Sequence, residues 1–341
     1  MLDFDPPPLL RGRHVQSILG SVGLRRSLVR RRSIEMQSHS EDLIIDCGDG
    51  VRLLCHHTPP RDPANQRLAL IIHGWEGSAS STYMLSAATS LWQAGYRVIR
   101  LNLRDHGDSH HLNKEMFHSC RLSDAVGAVR WAQREFSGES LWLAGFSLGG
   151  NFALRIAAVA QPEQLSISGV VAVCPVLDPA TTMFALDNGS PIYQLYFLRK
   201  WRNSLHKKKA AFPDRYDFSR LERFTTLSEM TEYFVERYTE YATIDSYLQG
   251  YALTTGRLES LQVPARLLLA EDDPVIPIGD IDRVTASGRL QIDRSRYGGH
   301  CGFIDGYDLR GWADRYILNA FDALNRRDEY DDASAAYRIA G

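Results

Sequence analysis

From residue 41 onward, short apolar runs alternate with amphipathic stretches. Leu43-Ile44-Ile45 and Val51-Arg52-Leu53-Leu54-Cys55 flank Gly48-Asp49-Gly50. That pattern predicts a β-hairpin with turn residues where positive φ is needed. Leu68–Ile72 then reads as a buried strand and 81–94 as a helix stopped at Gly95. Strands follow at 96–101, 141–144 and 170–173, with helices at 119–136 and 148–160 between them. The strands are continuously apolar rather than alternating, the mark of a parallel sheet covered on both faces.

The rhythm breaks at Pro179. Residues 180–260 hold no strand pattern but many aromatics, among them Tyr193, Tyr196, Phe197 and Trp201, and the run Lys207-Lys208-Lys209. This predicts a helical insertion. Strands resume at 265–269 and 290–292, and a helix closes the pattern at 308–325. The expected organisation is therefore a core of 41–179 and 261–325, a lid-like insertion over 180–260, and a polar, frayed tail over 326–341.

Residues 1–40 differ from the rest. Pro6-Pro7-Pro8 favours extended chain. Seven arginines follow by Arg32, while Val15, Ile18, Leu19 and Val22 recur at helical spacing. A basic amphipathic helix can lie on a membrane surface. The other reading is an arm packed across its own domain with its arginines facing water, and that one is expected here. Peripheral membrane contact through the arm stays open.

Composition narrows the class. The 341 residues are 44% hydrophobic and 23% charged, ordinary globular values, and 39 basic against 41 acidic residues leave a formal charge of −2. That balance argues against nucleic acid as a partner. Five scattered cysteines without a C-x-x-C suggest neither a disulfide framework nor a zinc site but reduced thiols in a cytoplasmic protein. The opening MLDFDPPPLL has no basic segment leading into an apolar one, so no signal peptide is expected.

The chemistry concentrates in a few places. Gly145-Phe146-Ser147-Leu148-Gly149 matches G-x-S-x-G between an apolar strand and a helix, the setting of a nucleophile elbow. A serine hydroxyl needs a base within hydrogen-bond reach. The elbow architecture orders its partners Ser, acid, His along the chain. Only His206 and His300 follow Ser147. His206 adjoins a lysine run and reads as surface; His300, in the glycine loop Tyr297–Phe303, is the candidate base. Asp273 is the candidate acid, because the turn Asp273-Pro274-Val275-Ile276-Pro277 would hold it rigidly. Asp272 is then a turn residue and Asp178 the second choice of acid. Two backbone N–H groups must face the developing oxyanion; Leu148 and Trp75 are the candidates. His73 is expected to brace the Trp75 loop, and Glu76 to bond backbone.

Arg104-Asp105-His106-Gly107-Asp108-Ser109-His110-His111 is dense in metal-ligand types. Adjacent His110 and His111 cannot easily share one ion, and no distal ligand pair stands out, so a polar loop is the expectation. No glycine-rich phosphate loop follows a strand, so no nucleotide cofactor is expected.

Taken together, His73-Gly74-Trp75-Glu76-Gly77-Ser78, Asn102-x-Arg104-x-His106-Gly107-x-Ser109, Gly145–Asn151, Asp272-Asp273-Pro274, Gly299-His300 and the entry segment Arg13–Gly20 resemble the YheT-like branch of the α/β-hydrolase superfamily. The resemblance implies an eight-stranded, mostly parallel sheet flanked by helices, no cofactor, and a serine hydrolase of carboxylic esters. Two departures stand out. Asp105 replaces the family's usual glycine, and 222–252 match the usual insertion poorly. The expected function is hydrolysis, through an acyl-enzyme, of a small-molecule ester with an apolar, short-chain to lipid-like acyl group. An acyltransferase on the same three residues and a catalytically silent scaffold are the alternatives.

Overall fold

The computed structural model describes residues 4–339, with side chains through Arg326. The arm forms α1 (Arg13–Ser21), α2 (Leu24–Arg32) and α3 (Ile34–Ser38). The core then runs β1 (Glu41–Asp46), β2 (Arg52–Thr58), β3 (Arg67–Ile72), α4 (Thr82–Gln93), β4 (Arg97–Leu101), α5 (Leu122–Glu135), β5 (Ser140–Phe146), α6 (Leu148–Ala158) and β6 (Gly169–Val173). Next come α7 (Pro179–Asn188), α8 (Pro191–Ala211), α9 (Leu227–Tyr238) and α10 (Ile244–Gln249). The chain returns through β7 (Ala265–Ala270) and β8 (Leu290–Ser295) to α11 (Trp312–Ile339). The last helix thus runs beyond residue 325, where the apolar pattern gives out; the final two residues lie outside the described chain.

All eight strands form one sheet in the order β1-β2-β4-β3-β5-β6-β7-β8. The β1–β2 and β2–β4 pairs are antiparallel and the rest parallel. The β1–β2 turn uses positive φ at Gly48, Asp49 and Gly50, as the hairpin reading requires. Alternation within β3 feeds both faces. Leu68, Leu70 and Ile72 join the core under α5, α6 and the insertion, while Ala69 and Ile71 join that under α4, α11 and the arm. Fully burying one such aliphatic side chain contributes about 1.5–3 kcal/mol, so this two-sided burial is what drives the sheet together.

In the insertion, α9 and α10 begin with reciprocal capping boxes, Thr226/Glu229 and Thr243/Ser246. The arm corrects a sequence expectation. Its arginines do not all face water: Arg25 is 1% exposed and donates to the carbonyls of Gly20 and Leu309. Among the described residues no helix is long and apolar enough to cross a membrane.

Candidate active site

The loops leaving the C-terminal ends of β3, β5, β7 and β8 converge above the sheet, where open α/β sheets place their ligands. Ser147 follows β5 and precedes α6 with φ 53° and ψ −121°, a left-handed geometry that non-glycine residues rarely adopt. The turn closes only because its neighbours lack side chains. A Cβ on Gly145 would lie 2.2 Å from the Gly149 carbonyl oxygen, and one on Gly149 2.2 Å from that of Ile72. The Ser147 amide donates to the Val173 carbonyl at 2.9 Å, which pins the strained residue.

His300 reaches this serine. Its Nε2 lies 3.0 Å from Ser147 Oγ, and its Nδ1 lies 2.9 Å from Asp273 Oδ2. The other Asp273 oxygen accepts from the Val275 and Ile276 amides at 2.8 and 3.0 Å, so the Asp-Pro-Val-Ile-Pro turn does hold it. Burial pulls the His300 pKa down, but the Asp273 charge and hydrogen bond, with a contribution from Cys301, outweigh it and push it up to about 9. Asp272 bonds the Gly299 amide instead, tying the two loops together. Asp178 caps α7 through the Ala180 and Thr181 amides and pairs with Arg283, away from the imidazole. His206 sits on the surface against Glu222.

The arm supplies a partner that sequence reasoning missed. Ser17 Oγ accepts from the His300 amide at 2.8 Å. Gln16, fully buried, accepts from the Ile304 amide and donates to the carbonyls of Ile304 and Leu10. A Cβ on Gly299 would lie 2.4 Å from the Arg13 carbonyl oxygen, and one on Gly302 2.4 Å from that of Gln16. The glycines of the His300 loop therefore serve close backbone approach to α1 rather than looseness. Hydropathy gave no warning, because Gln16 and Ser17 are polar; only the Arg13–Gly20 block of the family resemblance pointed to this segment.

On the other side of Ser147 the Gly74 amide donates to Tyr83 Oη, and the Glu76 amide to His106 Nε2. The Trp75 amide between them and the Leu148 amide at the start of α6 have no such partner among the described residues. His73 braces the loop as expected, with Nδ1 donating to Gly74 O and Nε2 accepting from Leu103 N. Glu76 departs from expectation. Its carboxyl makes no hydrogen bond to backbone among the described residues, and burial pushes its pKa up to about 8 against the opposing charge of Lys200.

The His/Asp-rich loop is spent on structure. Arg104 makes a bidentate pair with Asp124, His106 Nδ1 donates to Arg104 O, and Asp105 pairs with buried Lys208 of α8 at 2.8 Å. Asp105 has φ 58°, so aspartate occupies the left-handed turn where the family's glycine would sit. Elsewhere Cys174, His300 and Cys301 each bring one potential metal-ligand atom within 4.8 Å of the others. Both His300 nitrogens are already engaged by Asp273 and Ser147, so a cation there would compete with that pair.

Two cavities meet at Trp75. One, of about 110 Å³, is walled by apolar side chains of the insertion and core, including Leu148, Leu186, Trp201, Phe234 and Tyr251. The other, of about 310 Å³, contains Ser147 and His300 and is more polar. The Trp75 ring stacks on Phe197 at 5.3 Å and meets Trp201 edge-on, so α8 and this loop together form the partition.

Residues 70–307 match the family described as alpha/beta hydrolase fold. The chain is 26% identical over 280 residues to YheT of Escherichia coli (strain K12), named as a candidate esterase, covering 81% of this chain and 82% of that one. It is 23% identical over 348 residues to the monoacylglycerol lipase ABHD2 of Mus musculus, covering 93% and 79%. Among solved structures, the Pyrobaculum calidifontis esterase superposes with TM-score 0.56 at 17% identity, covering 95% of this chain and 99% of that one. The Pyrococcus furiosus esterase Pf2001 gives TM-score 0.56 at 15% identity, covering 84% and 92%. At such identities the structural likeness speaks for the fold.

Proposed function

The chain belongs to the α/β hydrolase fold family, in its YheT-like branch, and on that premise we propose that it is a serine hydrolase of carboxylic esters working through an acyl-enzyme. The observation that carries the reading is the unbroken relay Asp273–His300–Ser147, with contacts of 2.9 and 3.0 Å. Ser147 Oγ attacks the acyl carbon while His300 Nε2 takes its proton. Asp273 fixes the tautomer that leaves Nε2 free and stabilises the imidazolium. The Trp75 and Leu148 amides, unspent on other groups among the described residues, receive the oxyanion, each such donor accounting for about 10²–10³ in rate. His300 then returns the proton to the departing alcohol, and water repeats the sequence on the acyl-serine.

The names of YheT and the ABHD2 lipase agree with ester chemistry. The apolar cavity beside Leu148 suits an acyl chain, and its modest size of about 110 Å³ favours short chains unless α8 and α9 move apart. The experiment is turnover of p-nitrophenyl esters from acetate to dodecanoate by the protein and by Ser147→Ala. Hydrolysis that peaks at short chains and vanishes in the variant supports the reading. Folded protein that turns over none of the series contradicts it.

A further inference from the structure

The two cavities differ in charge as well as polarity. Among the described residues the apolar one has no acidic or basic side chain in its lining apart from His118. The one holding Ser147 and His300 is lined by Arg26, Arg30 and Lys200. Arg26 and Arg30 stand one turn apart on α2 of the arm, hence on the same face of that helix. Lys200 comes from α8, and Tyr196, one turn earlier, lines the same cavity.

None of the three cations has a hydrogen-bonding or ion-pair partner for its side chain among the described residues. Their neighbours behave differently. Arg25 is consumed by backbone carbonyls, Lys207 pairs with Asp108, Lys208 with Asp105, and Arg202 with Glu222. Among the described residues, unpaired cations also stand on these helices outside the lining, Arg31 and Arg199 among them; Arg26, Arg30 and Lys200 are set apart by bordering the cavity of the reactive serine. Glu76 is the one acidic residue in the lining among the described residues; burial pushes its carboxyl pKa up to about 8 against Lys200, and even a charged Glu76 leaves the three cations in excess. The cavity therefore presents a net positive wall.

Resting on the serine-ester reading above, we infer that the alcohol half of the substrate carries a phosphate group bound by Arg26, Arg30 and Lys200. The direction of the chemistry fits. With the acyl chain in the apolar cavity beside Leu148, the carbon–oxygen bond that breaks points to His300, and the alcohol departs into the cationic cavity. The Ser147 oxygen bonds the acyl carbon, the alcohol leaves with the proton held by His300, and water later releases the acid and restores Ser147. Guanidinium groups match phosphate oxygens in planar, paired geometry, and the ammonium of Lys200 adds a mobile third contact. The phosphate could belong to a free metabolite or to a lipid headgroup; the recognition chemistry is the same.

The test compares two soluble esters with one acyl chain, 1-butanoylglycerol and 1-butanoylglycerol 3-phosphate. The same headgroup pair is also presented on long chains in phosphatidylcholine vesicles. Three exposed cations should favour the phosphate ester about tenfold in kcat/KM at low salt, chiefly through KM, with the preference shrinking as salt screens it. In the triple variant R26Q/R30Q/K200Q the ratio should fall to near one. Arg31→Gln, which removes one charge from the same helix outside the cavity lining, should leave the ratio within about twofold. A ratio lost in the triple variant in the soluble pair points to a metabolite, and one present only on vesicles to a lipid; both support the subsite. Equal turnover in both arms, or a preference that survives in the triple variant, overturns it. Failure to hydrolyse p-nitrophenyl butanoate as well would instead bring down the underlying ester reading, and the subsite with it.

Discussion

The arm and the insertion approach Ser147 from opposite sides and are held by different physics. The arm is fastened by polar groups buried against backbone: Gln16 on Ile304 and Leu10, Ser17 on His300, and Arg25 on Gly20 and Leu309. Such bonds are directional, so they fix the loop carrying the imidazole in one place. The insertion meets the catalytic loops through aromatic side chains, with Phe197 and Trp201 on Trp75 and Tyr247 against His118, and is tied to the core further out by hydrogen bonds such as Ser119 N–H to Tyr247 Oη and by the buried pair Lys208–Asp105. Packing of that kind tolerates sliding and exchange. The difference assigns precision of proton transfer to the arm and shape of the acyl site to the insertion.

The sharpest way to strain this division is at the insertion's one ion pair to the core that is buried on both sides among the described residues. Lys208→Ala leaves Asp105 charged and unpaired in a site where each is under a tenth exposed, and should cost about 3–5 kcal/mol by denaturant unfolding. Lys208→Met combined with Asp105→Asn should recover most of that loss. A single variant as stable as the parent would show that the pair anchors nothing. Next is Gln16→Ala, which strips partners from Ile304 N–H and two carbonyls and should cost about 3 kcal/mol. Ser17→Ala should cost less in stability, about 1–2 kcal/mol. It should also lower kcat several-fold while KM stays near its parent value, because the group lost holds His300 and not substrate. If KM moves and kcat does not, the arm shapes the binding site after all.

The pH profile probes the arm side again. His300 must be neutral to accept the Ser147 proton, and Asp273 raises its pKa to about 9, so kcat/KM should climb from neutral pH toward that value. Asp273→Asn removes the raising charge, so the limb should shift to lower pH while the plateau falls. A limb that stays in place would mean another group titrates. The smallest expected change is on the insertion side. Phe197→Ala removes a ring stacked on Trp75 and should weaken ester binding by about 0.5–1.5 kcal/mol, read as KM, with little change in kcat.

What the chain reveals on reading divides along the same line. The elbow, the acid turn and the glycine loop of His300 are local words: each residue's chemistry and its neighbours' backbone demands sit within a few positions, so they can be read without knowing the fold. Strand positions follow from continuous apolar runs for the same reason. The arm is opaque because its meaning is non-local. Polar Gln16 and Arg25 look like surface on a hydropathy pattern, and besides the local carbonyls of Leu10 and Gly20 their partners lie in the distant backbone of Ile304 and Leu309. Glu76 defeats a local reading because its carboxyl is buried, within the field of Lys200, rather than folded back on the main chain. The insertion's aromatics announce helices but not which of them face a cavity, since that depends on how α8 lies against Trp75.

The most direct experiment is covalent. A fluorophosphonate probe incubated with the folded protein should add one adduct mass, mapped by peptide sequencing to Ser147. The adduct should be absent in Ser147→Ala and form at least a hundredfold more slowly in His300→Ala, where the serine loses its base. Labelling at another residue, or equal labelling of the His300→Ala variant, would show that the Asp273–His300–Ser147 relay does not make this hydroxyl a nucleophile.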